Sequence, residues 1–178
     1  MEDPNLNYMK WLASTPKPNK KIIDNHFILF LTMNSLKKDT KRGIMDVLKS
    51  AAENGFGCVQ QPLPEYSYYH DFQTLRTFSN SAKYPKRYSN LGSWYDELQL
   101  FFNNEDIAPV CYGSSFAIPS NQVATSNYHF NNIYKKIEED SEGGHDPSEL
   151  AEFLERSWAN IFSLPLTVNQ LNLLHDYH

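Results

Sequence analysis

Glu155 is the residue whose type and setting in this chain best suit acid–base chemistry. It sits among apolar residues, Leu150, Phe153, Leu154, Trp158, Ile161 and Phe162, that recur at helical spacing. At about 100° per residue, Glu152, Arg156 and Asn160 fall on the opposite side, with Glu152 and Arg156 as an i,i+4 pair. Glu155 falls at the edge of the apolar stripe, beside Ala151 and Phe162, where a partly desolvated carboxylate is placed to act as a general base. The plainer alternative is a boundary carboxylate that reaches solvent or pairs with a nearby Arg or Lys. Two further stretches carry candidate ligand contacts. Residues 62–72 (P-L-P-E-Y-S-Y-Y-H-D-F) hold Tyr69 and His70 in an aromatic-rich run, and tyrosines stack on sugar rings or bases while hydrogen-bonding at the tip. They serve equally well to cover a core edge. Residues 79–92 form a long polar loop with Lys83, Lys86 and Arg87, candidate partners for a phosphate.

The elements that must position these residues follow from local signals. Asp146 is the expected N-cap of the Glu155 helix, Pro147 its first residue, and Glu149 the third member of a capping box. Asp3-Pro4 opens a short helix through Leu6, Met9 and Leu12. The run over 26–33 (H-F-I-L-F-L-T-M) is a short, continuously apolar stretch that suits a strand buried on both faces. Asp39 or Thr40 then caps a helix carrying Ile44, Leu48, Ala51 and Ala52, stopped by Gly55. A second strand over 56–60 completes an apparent βαβ unit. Ser93 is the expected N-cap of a helix with Trp94, Leu98, Phe101 and Phe102. A strand over 112–120 and a helix over 123–139, with Phe130, Ile133, Tyr134 and Ile137 inward, precede the Glu155 helix. Thr167 caps a short tail helix.

Composition narrows the function classes. The chain has 178 residues, 40% hydrophobic and 14% aromatic, which is one domain's worth of globular sequence. A net charge of −5 argues against a nucleic-acid binder. No apolar run is long enough to span a membrane, and the first residues lack a signal-peptide pattern, so cytoplasmic residence is expected. Cys58 and Cys111 could meet only on neighbouring strands, and the expectation is two buried free thiols. The histidines and cysteines show no metal-ligand spacing, and neither a Gly-rich phosphate loop nor a D-x-D pair occurs. No metal and no cofactor are expected.

The segment Glu155-Arg156-Ser157-Trp158-Ala159 resembles the E-x-x-W-A helix of the core-2/I-branching N-acetylglucosaminyltransferases. It is also similar to the E-R-x-W ending of a glycosyltransferase-like family common in fungi. The strand Tyr112-Gly113-Ser114-Ser115-Phe116-Ala117-Ile118-Pro119-Ser120 resembles the small-residue strand of both, although Asn121-Gln122 stands where an Arg usually follows. The similarity is strongest over residues 91–163. It implies a single α/β domain over 1–178, a mixed and partly parallel sheet flanked by helices, like a reduced glycosyltransferase-A arrangement. It further implies transfer of a sugar from a nucleotide-sugar donor to a glycan or other hydroxyl acceptor, with Glu155 as base. Gly113, Ser114, Ser115, Arg156 and Trp158 would then contact substrate. The competing expectation is a non-catalytic relative that serves as a binding or interaction module. About 180 residues is short for a nucleotide half and an acceptor half together.

Overall fold

The strand β3 (Tyr112–Pro119) occupies the middle of the molecule because its apolar residues are buried on both sides. Alternation sends Phe116 and Ile118 to one face and Ala117 to the other, and all three are fully buried. A computed structural model describes residues 3–15, 26–32, 43–60, 88, 90–100, 110–125, 130–165 and 167–169. Among them β3 lies between β1 (Phe27–Phe30) and β2 (Gly57–Gln60), in the order β1-β3-β2. Both pairings are antiparallel, with Ile28 opposite Ile118 and Cys58 opposite Phe116.

The chain thus mixes helices with a small sheet, α/β in the broad sense, but the parallel pairing expected of a βαβ unit is absent among the described strands. β1 and β2 do run the same way, as the two strands of such a unit would. β3 has inserted between them and opposes both. The apolar run of β1 lies at the side of this sheet: Phe27 and Ile28 are half-buried and Leu29 is 37% exposed. The continuous run had suggested a strand covered on both faces; that place belongs to β3.

Helix α2 (Ile44–Asn54) covers one face, setting Val47 and Ala51 against Ala117. It starts from Gly43 rather than at Asp39 or Thr40, which lie outside the described residues, and Ile44 is exposed rather than inward. Gly55 ends it in the left-handed conformation, φ 76°, as its sequence signal indicates. The other face holds the main core. The Phe116 ring lies 4.8 Å from Phe30, 5.1 Å from Phe56, 5.6 Å from Trp158 and 6.0 Å from Tyr8. Tyr8 comes from α1 (Pro4–Ser14), capped by Asp3 through the Asn5 N–H at 2.8 Å.

Helix α3 (Leu91–Leu98) begins one turn before the expected Ser93 cap. Asn90 is the N-cap, accepting from the Ser93 N–H, while the Ser93 hydroxyl receives the Asn90 N–H in a reciprocal box. Phe101 and Phe102 lie outside the described residues. Of the helix expected over 123–139, the described residues give α4 (Ser120–Thr125) and α5 (Phe130–Glu142), with Phe130, Ile133 and Ile137 buried; 126–129 lie outside the described residues. Of the expected tail helix only 167–169 are described.

Cys58 and Cys111 are joined in a disulfide, which corrects the expectation of free thiols. The signal was non-local. Cys58 lies on β2 and Cys111 immediately precedes β3, so strand pairing brings together residues 53 positions apart.

Gly57 is where α2 meets β2 with no room to spare. A Cβ there would lie 2.0 Å from the Val47 carbonyl oxygen, a backbone atom that cannot swing away. Gly57→Ala should therefore cost about 3 kcal/mol by forcing α2 off the sheet, seen as a lower urea midpoint. A variant with the wild-type midpoint would contradict this packing.

Candidate functional site

Helix α6 (Pro147–Phe162) carries Glu155 and lies against the open side of the sheet. Its cap and first residue are those the sequence indicates, but the Asp146 side chain accepts from the Ser148 amide rather than from the Glu149 amide that the expected capping box would use. Asp146 accepts from the Ser148 N–H at 3.0 Å and from the Ser148 hydroxyl at 2.6 Å, and Pro147 follows at the first helical position. The burial of α6 exceeds what its apolar stripe suggests. Glu149, Ser157 and Asn160 are buried along with the apolar residues, so Asn160 does not lie on a solvent face. Ser157 survives there because its hydroxyl donates to the Phe153 carbonyl one turn back.

Trp158 is wholly buried. Its ring packs on Phe116 and Phe162, and its indole N–H donates to Asn5 Oδ1 at 2.8 Å. It fixes α6 against α1 and β3, and so holds Glu155 in place from beneath.

Glu155 faces the start of β3. Between the pairs Cys58–Phe116 and Gln60–Tyr112, β2 advances two residues while β3 advances four. The surplus forms a bulge. Within it Gly113 has φ 79° and Ser114 has φ 54°, both in the left-handed region that costs a serine free energy. The Glu155 carboxylate spans this bulge. Oε1 accepts from the Gly113 N–H at 3.3 Å, and Oε2 accepts from the Ser114 hydroxyl at 3.1 Å.

A third donor reaches Glu155 from its own neighbour: Arg156 Nη1 donates to Oε1 at 2.9 Å, with the two side chains 16% and 23% exposed. The Arg156 guanidinium also lies over the Tyr112 ring, 3.9 Å from its centroid, a cation–π contact. Arg156 therefore ties the helix to the first residue of β3 as well as neutralising Glu155. Ser115 turns the other way. Its hydroxyl oxygen accepts from the Thr32 N–H at 3.0 Å, joining the bulge to the end of β1.

The chain matches no protein-family profile, and no curated protein or solved structure shows significant similarity to it.

Of the sequence-predicted site residues, Gly113, Ser114, Glu155 and Arg156 come together in one hydrogen-bonded group. Ser115 is buried beside them and Trp158 lies in the core below. Tyr69, His70, Lys83, Lys86 and Arg87 lie outside the described residues. Sequence reasoning passed over Tyr112 and Asn5. Tyr112 heads the recognised strand, and its role beneath Arg156 depends on a contact across 44 positions. Asn5 is a buried amide reaching α6 from the first helix, for which no local signal exists. Among the described residues no group of three or more His, Cys, Asp or Glu side chains is gathered as a metal site, and no helix is long and apolar enough to cross a membrane. A groove of about 460 Å³ runs between α1, α5 and the start of α6, with Leu6, Lys10, Tyr134 and Ile137 in its wall; it shares no lining residue with the Glu155 group.

Glu152, one turn before Arg156, has its carboxyl raised above the usual value. Partial burial is the main cause, the Arg156 charge opposes it, and the neighbouring carboxylates of Glu155, Glu149 and Asp146 add to it. The folded chain thus holds this proton more tightly than the unfolded chain. Stability from this group is present below the unfolded value and is lost as pH rises through the folded one. Glu152→Gln should therefore gain on the wild type in melting temperature between about pH 3 and about pH 7. A constant or shrinking difference would contradict the desolvation assigned to Glu152. Trp158→Ala should cost about 3–5 kcal/mol by chemical denaturation, since it empties the space between Phe116 and Phe162 and strips Asn5 of its donor. A loss near zero would mean that α6 is not anchored there.

Proposed function

We propose that this chain is a glycosyltransferase-like binding module that grips a hydroxyl of a glycan or similar polyhydroxylated ligand at the Glu155 bulge. The observation that carries this reading is the coordination of the carboxylate. An ionised carboxylate offers about four acceptor positions, and three are taken by the Gly113 N–H, the Ser114 hydroxyl and Arg156. Among the described residues one position is left on a partly exposed group that the bulge orients. That suits a single hydroxyl donor. The ligand class comes from the resemblance of E-R-S-W-A and of the Gly113 strand to the acceptor side of the branching transferases.

A second reading, sugar transfer from a nucleotide-sugar donor, keeps the same residues and makes Glu155 the base that takes the acceptor proton. Its support is the position of Glu155 in that motif and the unfilled acceptor direction. It further requires cations for the leaving diphosphate, and Lys83, Lys86 and Arg87 are its candidates. In either reading the compartment expected from the sequence changes. A buried disulfide forms and persists in oxidising surroundings, which favours such a compartment over the cytoplasm.

A saccharide panel and a nucleotide-diphosphate panel, read by thermal shift, separate the two. A saccharide at about a hundred times its Kd should add about 2.7 kcal/mol, or about 5–10 °C in Tm for a chain of this size. Glu155→Gln should weaken that saccharide about tenfold or more, the worth of a hydrogen bond to a charged acceptor. Stabilisation by nucleotide diphosphates, with turnover that Glu155→Gln lowers about 10²–10⁴-fold, would favour transfer. Binding of neither class, or saccharide binding indifferent to Glu155→Gln, overturns the proposal.

A further inference from the structure

We infer that the Cys58–Cys111 disulfide sets the Gly113–Ser114 bulge, so that the Glu155 site exists in the oxidised chain and is lost on reduction. Cys58 has two neighbours on the β3 side: Phe116, its partner in the ladder, and Cys111, its partner in the disulfide. Five residue steps separate Cys111 from Phe116, and extended chain would carry them about 17 Å apart. The disulfide holds the Cys111 Cα 5.6 Å from that of Cys58, and ladder pairing holds Phe116 at about 5.5 Å, so the two ends are at most about 11 Å apart.

The surplus length must be folded away between them. It is taken up where the left-handed residues stand, at Gly113 and Ser114. The fold-back is visible at its base, where Cys111 Sγ lies 3.7 Å from the Ser115 carbonyl oxygen. Two restraints therefore act on the same bulge from opposite ends. The disulfide shortens the segment, and Glu155 accepts the N–H and O–H that the shortened segment turns toward α6.

Reduction by an external dithiol breaks the Cys58–Cys111 bond and forms a disulfide in the reductant. Two electrons and two protons pass to the protein, leaving two thiols. Both half-cystines are buried, at 5% and 1% exposure, so exchange requires β2 and β3 to part locally. Once the disulfide opens, only the Gln60–Tyr112 pair and the two Glu155 bonds still hold 111–116 against extension, and they do not sustain alone a left-handed conformation that is unfavourable for a side chain with a Cβ. The Gly113 N–H and the Ser114 hydroxyl then leave Glu155. The conformational change stands without any ligand; only its consequence for binding rests on the function proposed above.

The test uses isotope-labelled full-length chain, with thiol labelling and backbone chemical shifts recorded before and after dithiothreitol. The result expected is no reactive thiol before reduction and two after it. Ser114 should move from positive to negative φ while Ile28 and Ile118 keep their strand shifts. The double variant Cys58→Ala/Cys111→Ala should show the same local change. Three results would overturn the inference: Ser114 keeping positive φ in the reduced chain, the whole sheet melting together, or two thiols already present in chain that shows the bulge. A saccharide titration of the same samples keeps the two proposals apart. If Ser114 switches but no saccharide binds in either state, the functional reading fails and the redox coupling stands.

Discussion

The structure depends on a conflict carried by one strand. β3 must be the buried middle of the sheet, with Phe116, Ala117 and Ile118 covered on both faces, and the residues between Tyr112 and Phe116 must also leave the ladder. Hydrophobic burial settles the first requirement, and the disulfide beside Phe116 imposes the second. What results is a polar bulge at the end of an apolar strand, with backbone and hydroxyl donors that need an acceptor. Glu155 is that acceptor. The helix that brings it is anchored by Trp158 one turn further on, packed on the same Phe116.

This arrangement explains why the charged pair at the site is tolerated. Burying a carboxylate costs free energy unless donors replace its water. Glu155 has three, and one is a guanidinium that itself rests on the Tyr112 ring. Glu152 keeps its proton more readily in the folded chain than in the unfolded one, with burial as the main cause and the Arg156 charge opposing it. Two carboxylates three residues apart thus have different surroundings and different uses. One is an anchored acceptor and the other is a group whose ionisation opposes folding.

Much of the local structure was legible in the sequence. The Asp3 and Asp146 caps, the Gly55 stop and the apolar faces of α1 and α6 depend on residues within a turn of each other. Glu155 also lies against Gly113 and Ser114, residues that the resemblance of the strand and the helix had placed in one site. What failed was non-local. A continuous apolar run reads the same in a central and an outer strand, so β1 was given the place that β3 holds. Cys58 and Cys111 looked unpaired because nothing near either residue says that β2 and β3 adjoin. Asn160 looked solvent-facing because α6 was treated as covered on one side, whereas α1, β3 and the residues packed around them enclose most of it.

The bond from Ser114 to Glu155 is what joins the bulge to α6 through a side chain on each. A double-mutant cycle of Ser114→Ala and Glu155→Gln, read by urea denaturation, measures that link directly. A coupling of about 1 kcal/mol or more is predicted, since either substitution removes or weakens the charge-assisted bond between the two side chains and the second substitution then has little of that bond left to lose. Strictly additive losses would show that the two residues do not act on each other, and would contradict the site as described.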